Sequence, residues 1–148
     1  MAKPTTFKGS KLYISLGNGA TPEVFTAPCG ITSRGLAMTK DVTDVTVPDC
    51  DDPDAPSWVE RDVSSFSGEV SGSGILAAEA WTTWRTAFLD TDARNARVGI
   101  EAPPAQHGGY FAGSMHLTSL NLTGDIGEKI SVTITLQSNG ELVWVPST

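Results

Sequence analysis

A glycine-rich motif ahead of the one predicted helix has the clearest potential for chemistry. Gly72-Ser-Gly-Ile-Leu-Ala77 fits the G-x-G-x-x-G/A pattern and lies between a predicted strand and a predicted helix, as dinucleotide-binding motifs do. In those sites an acidic residue about 20 residues further on ends a second parallel strand, whereas Asp92 here closely follows the helix. The strand before the motif is also half polar, unlike a buried parallel strand. The glycines therefore predict a turn from strand to helix rather than a nucleotide site.

An acidic segment from Pro48 to Pro56 is the second candidate, as a calcium site. Its carboxylates are Asp49, Asp51, Asp52 and Asp54. They lack the spacing of an EF-hand loop, and Pro53 would stiffen the segment against wrapping an ion. Because four carboxylates are not buried unpaired, the segment is predicted to be an exposed loop that is either solvated or reaches a neighbouring subunit.

The cysteines and histidines do not form the pattern of a metal or catalytic site. Cys29 and Cys50 lack metal-ligand spacing to His107 or His116, and the sequence contains no G-x-S-x-G motif. No secretory signal is visible, so both cysteines are expected to be free thiols that pack as small buried or half-buried residues. We therefore predict no catalytic residue, no cofactor and no metal, and we expect that the protein is not an enzyme.

Composition and charge exclude several other classes. The 148 residues are 39% hydrophobic and 18% charged, which predicts one folded domain over residues 1–148. No run approaches the 18 apolar residues of a membrane span, so no membrane contact is expected. The formal net charge of -7 argues against tight binding of nucleic acid, because phosphate backbones attract lysine and arginine. Loose contact with DNA remains open.

Alternating apolar and polar residues predict seven or eight strands. The predicted ranges are 11–16, 23–27, 31–47, 61–71, 95–102, 110–123, 128–138 and 142–145. In two of them the apolar phase slips by one residue, which predicts a β-bulge between Ser64 and Ser65 and another near Thr118 and Ser119. The Asn139-Gly140 pair predicts a two-residue hairpin turn before the last strand.

One helix is predicted over 75–89, with Ser73 as a plausible cap. Its apolar stripe is Ala77, Trp81, Trp84 and Phe88, with Ala80 beside it. The stripe predicts a helix that plugs the core of a sheet. A single helix excludes a doubly wound α/β fold, so the expected fold is mainly β, a two-sheet β-sandwich or barrel with one flanking helix.

Four segments in this order resemble a known family. They are the opening Lys8-Gly-Ser-Lys-Leu-Tyr-Ile-Ser, the stretch from Gly30 to Thr46 with its Asp-Val-Thr element, Phe66-Ser-Gly-Glu-Val-Ser-Gly-Ser-Gly before the helix, and the ending from Ile130 to Val145. Together they are similar to the major tail (tail tube) proteins of long non-contractile-tailed phages and of phage-like gene transfer agents. Each segment alone is common in β proteins, and their order is what carries the resemblance.

The resemblance implies a structural virion protein that assembles with itself. Six copies would form a ring, and stacked rings would make a tail tube through which double-stranded DNA passes without tight or sequence-specific binding. The other partners would be tape measure, terminator and distal tail proteins. The protein would be located in the virion tail, which is assembled in the bacterial host cytoplasm. The resemblance also implies an N-terminal arm at about residues 1–10 and an inter-ring assembly loop at about 48–58, which contains Asp49, Asp51, Asp52, Asp54 and Trp58.

Two further expectations remain open. Ser131, Thr133, Thr135 and Gln137 share the polar face of the clearest predicted strand and are candidates for a polar channel lining. The alternative functions are another tail component, such as a terminator or a baseplate ring, and a carbohydrate-binding β-sandwich whose Trp58, Trp144 and Tyr110 would stack on sugars.

Overall fold

Eight antiparallel strands and one helix make up the fold in a computed structural model, which describes residues 2–19 and 22–148. The strands are β1 (Leu12–Gly17), β2 (Phe25–Thr26), β3 (Ile31–Asp44), β4 (Arg61–Ile75), β5 (Arg94–Ile100), β6 (Gly109–Thr123), β7 (Ser131–Ser138) and β8 (Val143–Pro146), and the helix α1 is Ala78–Leu89. Short 3₁₀ turns cover Gly9–Lys11 and Pro104–Gln106. The prediction of a mainly β fold with one helix is confirmed.

The strands form a single hydrogen-bonded sheet rather than two separate ones. Its order is β2-β1-β5-β6-β7-β4-β3, with β8 paired to β6. The long β6 joins two halves, since its first part pairs with β5 and its last part with β7. Arg34 on β3 donates hydrogen bonds to the carbonyl oxygens of Leu12 and Ile31, so the sheet curls until β3 approaches β1. The expected two-sheet sandwich is therefore one sheet that folds over a common core.

Both predicted bulges are confirmed. Asp41 pairs with Ser65 and Val42 with Val63, so Ser64 is the extra residue in β4. In β6, Leu117 pairs with Leu136 and Ser119 with Thr135, which leaves Thr118 unpaired. Each bulge keeps the apolar residues on both of its sides directed to the same face of the sheet.

The helix closes the core with part of the predicted stripe. Trp84 is 1% exposed, and Ala80 and Ala87 are buried beside it, as expected of a helix that plugs the sheet. Phe88, predicted to lie in the stripe, is 47% exposed. Trp84 lies near Ile14 and Ile31, where β1 and β3 approach each other.

The helix also begins later than predicted, and Ser73 does not cap it. Ser73 lies inside β4, and Ala77 is the N-cap residue without a side-chain hydrogen bond. The reason is that the amides of Ile75 and Leu76 donate to the carbonyl oxygens of Gly30 and Ile130. These bonds hold the chain extended until the helix begins.

The last strand contradicts the predicted hairpin. β8 pairs with β6 through Val143 opposite Ala112, and not with β7. Since β7 ends opposite Met115 of the same strand, the chain runs on along β6 after a kink at residues 139–142. Gly140 has a positive φ of 95°, as in a tight turn, but the strand direction does not reverse there.

Candidate functional site

The strands β3 and β4 extend beyond the rest of the sheet as a two-stranded ribbon. β4 pairs with β7 only from Glu69 to Ile75, so its residues 61–68 pair with β3 alone. We call residues 38–44 and 61–68 the ribbon. No other described strand pairs with residues 61–68 of β4, so this edge of the ribbon is free. Residues 38–44 and 61–67 are all exposed, so side chains on both faces of the ribbon can contact another molecule.

One face of the ribbon is apolar and the other is polar. Directly paired residues share a face, and the apolar residues that fall together are Met38, Val42, Val63 and Phe66. The opposite face carries Thr39, Asp41, Thr43, Asp62, Ser65 and Ser67. Phe66 is 74% exposed, with the Lys40 ammonium 5.4 Å from its ring centroid. Without the bulge at Ser64, Val63 would lie on the polar face.

The acidic loop lies at the tip of the ribbon. The amide of Val45 donates to the carbonyl oxygen of Glu60 at 2.9 Å, which closes the base of the loop. Asp44 accepts hydrogen bonds from the hydroxyl and the amide of Thr46, and these bonds hold the pKa of its carboxyl below the usual value. Asp49, Asp51, Asp52 and Asp54 are all exposed, and Trp58 is 94% exposed. The base of the loop is thus ordered, and its acidic and aromatic side chains point into solvent.

The predicted channel-lining residues belong to a broad polar face that spans β4, β7 and β6. Ser131, Thr133, Thr135 and Gln137 alternate with Val132, Ile134 and Leu136, which are buried. Their paired neighbours extend the same face and are Glu69, Ser71, Ser73, Ile75, His116, Ser119, Asn121 and Thr123. Among these described residues, Glu69 alone carries a formal charge at neutral pH. This face is therefore hydroxyl-rich and nearly uncharged.

The predicted N-terminal arm is exposed where the structure describes it. Residues 2–10 are all exposed, and helix or strand is absent from residues 2–8. Met1 lies outside the described residues. The segment reaches the sheet only at β1, so residues 2–8 add no strand to the described sheet.

The residues considered for chemistry do not come together. The described part of the chain holds no group of three or more histidine, cysteine, aspartate or glutamate side chains that could bind a metal. Cys29 and Cys50 are free, as predicted, but both are exposed rather than buried. His107 lies in a turn and His116 on the polar face opposite Gln137.

The glycine-rich motif has a packing role rather than the predicted turning role. Gly72 and Gly74 lie within β4, between β3 and β7. A Cβ atom at Gly74 would collide with the carbonyl oxygen of Gly30, and one at Gly72 would press on Ile31. The glycines thus permit close approach of the chain around Gly30 to β4.

The aromatic residues of the carbohydrate alternative are not a single platform. Trp144 pairs with Phe111, and the two rings meet at 5.0 Å between centroids. Tyr110, the next residue along β6, points to the opposite face because strand side chains alternate. Trp58 lies in the loop at the ribbon tip. No shared sugar-stacking surface results among these three.

The fold exposes two broad surfaces, the ribbon and the polar face of β4, β7 and β6. A family model described as phage tail tube protein matches residues 6–144. The chain therefore belongs to the phage tail tube protein family, and it is a structural protein of phage-like tails. None of the helices in the described residues is long and apolar enough to cross a membrane. Comparison with proteins of curated function gave no significant match.

Solved structures share the fold. The chain is 21% identical to one in the virion of a native gene transfer agent particle, with a TM-score of 0.75 and coverage of 95% of this chain and 99% of that one. It is 20% identical to a chain in the tail of an empty gene transfer agent particle with C6 symmetry, with a TM-score of 0.76 and the same coverage. The SPP1 tail tube gives 11% identity and a TM-score of 0.67 over 93% of this chain and 78% of that one.

Sequence reasoning missed two features of these surfaces. Alternation predicts that the apolar residues of the ribbon share one face, but it does not predict whether another element covers that face. The near absence of charge on the polar face was also missed. The sequence does contain a sign of this low charge, since Ser131, Thr133, Thr135 and Gln137 are all uncharged.

Proposed function

We propose that six copies of this protein form a ring and that the rings stack into a tail tube that conducts double-stranded DNA. The tail-tube family match over residues 6–144 carries the proposal. The C6 symmetry of a structurally similar gene transfer agent tail supports the ring number. Assembly would take place in the cytoplasm of the bacterial host, with tape measure, terminator and distal tail proteins as partners.

The polar face of β4, β7 and β6 is the proposed lining of the channel. A wall that offers lysine or arginine would hold DNA by neutralising phosphates and releasing counterions. The described residues of this face offer neither, and one Glu69 per subunit adds weak repulsion. The acidic charge of the subunit lies largely elsewhere, in part on the loop at the ribbon tip. A neutral hydroxyl lining would let DNA slide past without being held.

The ribbon and its loop are the proposed contacts between rings. Apolar side chains as exposed as Phe66 and Trp58 are characteristic of a surface that another molecule covers. Contacts from one copy to a different surface of the next can close a ring or propagate along a stack. The exposed loop residues Asp49, Asp51, Asp52 and Asp54 would then meet the neighbouring ring.

Electron microscopy of the purified protein tests the proposal directly. Tubes or stacked rings with six-fold symmetry are the expected result, and they would appear more readily at higher protein concentration. Single closed rings at every concentration would contradict the tube and favour a terminator or baseplate ring. A protein that stays monomeric and is retained on polysaccharides would instead favour the carbohydrate-binding alternative.

A further inference from the structure

The turn between β6 and β7 contains an exposed isoleucine whose side chain the turn conformation does not require. The amide of Glu128 donates to the carbonyl oxygen of Asp125 at 3.1 Å, and Gly127 has a φ of 91°. This is the pattern of a type II turn, which requires glycine at its third position but places no apolar demand on its second. Ile126 occupies that second position and is fully exposed, at 107%.

The apolar surface continues from this turn into the adjoining end of the core. Leu122 pairs with the buried Val132 and so lies on the core side of the sheet, yet it is 44% exposed. Ile130, two residues before Val132, shares that side and is 48% exposed. We call Leu122, Ile126 and Ile130 the knob.

A groove lies at the other end of β7. It has a volume of about 530 Å³, and the residues that line it include Met38, Phe66, Gly68 and Leu142. Leu142 packs against the core, so the groove is an open end of the core between the ribbon and the kink after β7. The knob precedes Ser131 and the groove includes Ser138, so the two are separated by the length of β7, roughly 25 Å.

The charges around the knob and the groove are complementary. Lys129 lies beside the knob, and Glu141 lines the groove. In the other direction, Asp125 and Glu128 flank the knob, and the Lys40 ammonium lies 5.4 Å from the Phe66 ring centroid at the groove. Each charge beside the knob can therefore find a charge of opposite sign at the groove, while the apolar side chains of the two surfaces pack together.

We propose that the knob of one copy inserts into the groove of a second copy. Knob and groove lie at opposite ends of one strand, so a growing assembly keeps a free knob at one end and a free groove at the other after every addition. Such head-to-tail contacts propagate without limit or close into a ring. The proposal rests on the self-assembly proposed above and names the side chains that join one copy to the next.

The first test compares Ile126→Ser with Ile126→Leu. Serine removes the apolar side chain without adding charge, whereas leucine keeps an apolar side chain of similar size. Because full burial of an isoleucine is worth a factor of about ten or more in association, the serine variant is expected to need about tenfold more protein to form tubes. The leucine variant is expected to match wild type. Equal assembly by both variants would overturn the proposed contact.

The second test locates the contact by disulfide formation. Cys29 and Cys50 are exposed, so both are first replaced by serine. One protein then carries Ile126→Cys and another Met38→Cys, and the two are assembled together and oxidised. Disulfide dimers that contain one copy of each protein are expected, and either protein oxidised alone should yield far less disulfide dimer.

The outcomes separate this contact from the function on which it rests. Tubes that form normally but give no mixed disulfide would overturn the knob and groove while leaving the tail-tube function intact. Wild-type protein that forms no tubes or rings at any concentration would overturn the proposed function, and the contact with it.

Discussion

A lysine on the proposed channel lining should convert a wall that DNA slides past into one that holds it. Thr133 is a suitable site, because it is exposed at the centre of the polar face between Ser73 on β4 and Asn121 on β6. The side chain of Thr133→Lys can extend into solvent, so the fold should tolerate it. Six copies would place a ring of six ammonium groups around the channel.

The size of the effect follows from counterion release. If about six phosphates are neutralised per ring, the logarithm of affinity falls with the logarithm of salt concentration at a slope near -5, roughly a thousandfold loss between about 50 and 200 mM salt. The proposed lining face has no lysine or arginine among its described residues, so wild-type tubes should show almost no salt-dependent retention.

The assay assembles tubes in the presence of a short fluorescent duplex, adds nuclease and then pellets the tubes. Thr133→Lys tubes should retain nuclease-resistant duplex at low salt and lose it at high salt. Thr82→Lys is the matched control, because Thr82 is exposed on α1 and away from the polar face. DNA bound by that variant should remain open to nuclease. Equal protection in both variants, or none in well-formed Thr133→Lys tubes, would refute the assignment of the lining.

Three further predictions concern the loop, the core and the ribbon. Deletion of Asp49–Pro56 should leave the monomer folded by circular dichroism but block tube growth in electron micrographs, and normal tubes would contradict an assembly role for the loop. Trp84→Ala should lower the free energy of unfolding by about 3–5 kcal/mol in urea titrations, because it empties a buried site, while Phe88→Ala should cost less than about 1 kcal/mol. The Asp44 carboxyl, whose folded pKa is lowered by its bonds from Thr46, stabilises the fold above its unfolded pKa near 3.8, and this contribution is lost as the pH falls through the lower folded value. An NMR titration of Asp44 should therefore give a lower midpoint in wild type than in Thr46→Ala.

Local alternation was sufficient to predict much of the sheet. Successive residues of a strand point to alternate faces, so one extra residue shifts the apolar pattern visibly in the sequence. The bulges at Ser64 and Thr118 were both found where this shift predicted them. The polar side of β7 was equally readable. The buried Trp84 was also predicted, although Phe88 was not distinguished from it, because the width of the helix stripe that is covered depends on the sheet beneath.

Elements whose partners are distant in the chain were mispredicted. Asn139-Gly140 has the composition of a hairpin turn, but the choice between pairing with β7 and pairing with β6 depends on hydrogen bonds that lie outside the turn. The apolar stripe and the possible cap at Ser73 predicted a helix from Ile75, but the amide of Ile75 donates to the carbonyl oxygen of Gly30. In both cases a long-range backbone bond decided the outcome.

By itself, the sequence determined that this is an acidic, β-rich chain of the tail-tube family with one helix, because alternation, bulges and the order of segments are properties of the chain alone. Only the tertiary structure decided which apolar faces stay uncovered. Val63 and Val70 are both apolar residues of β4, yet Val70 is fully buried and Val63 is half exposed on the ribbon. The difference arises because the core packs on the part of β4 that pairs with β7, whereas the ribbon extends beyond the core. The surfaces proposed for assembly lie where the fold stops covering its own strands.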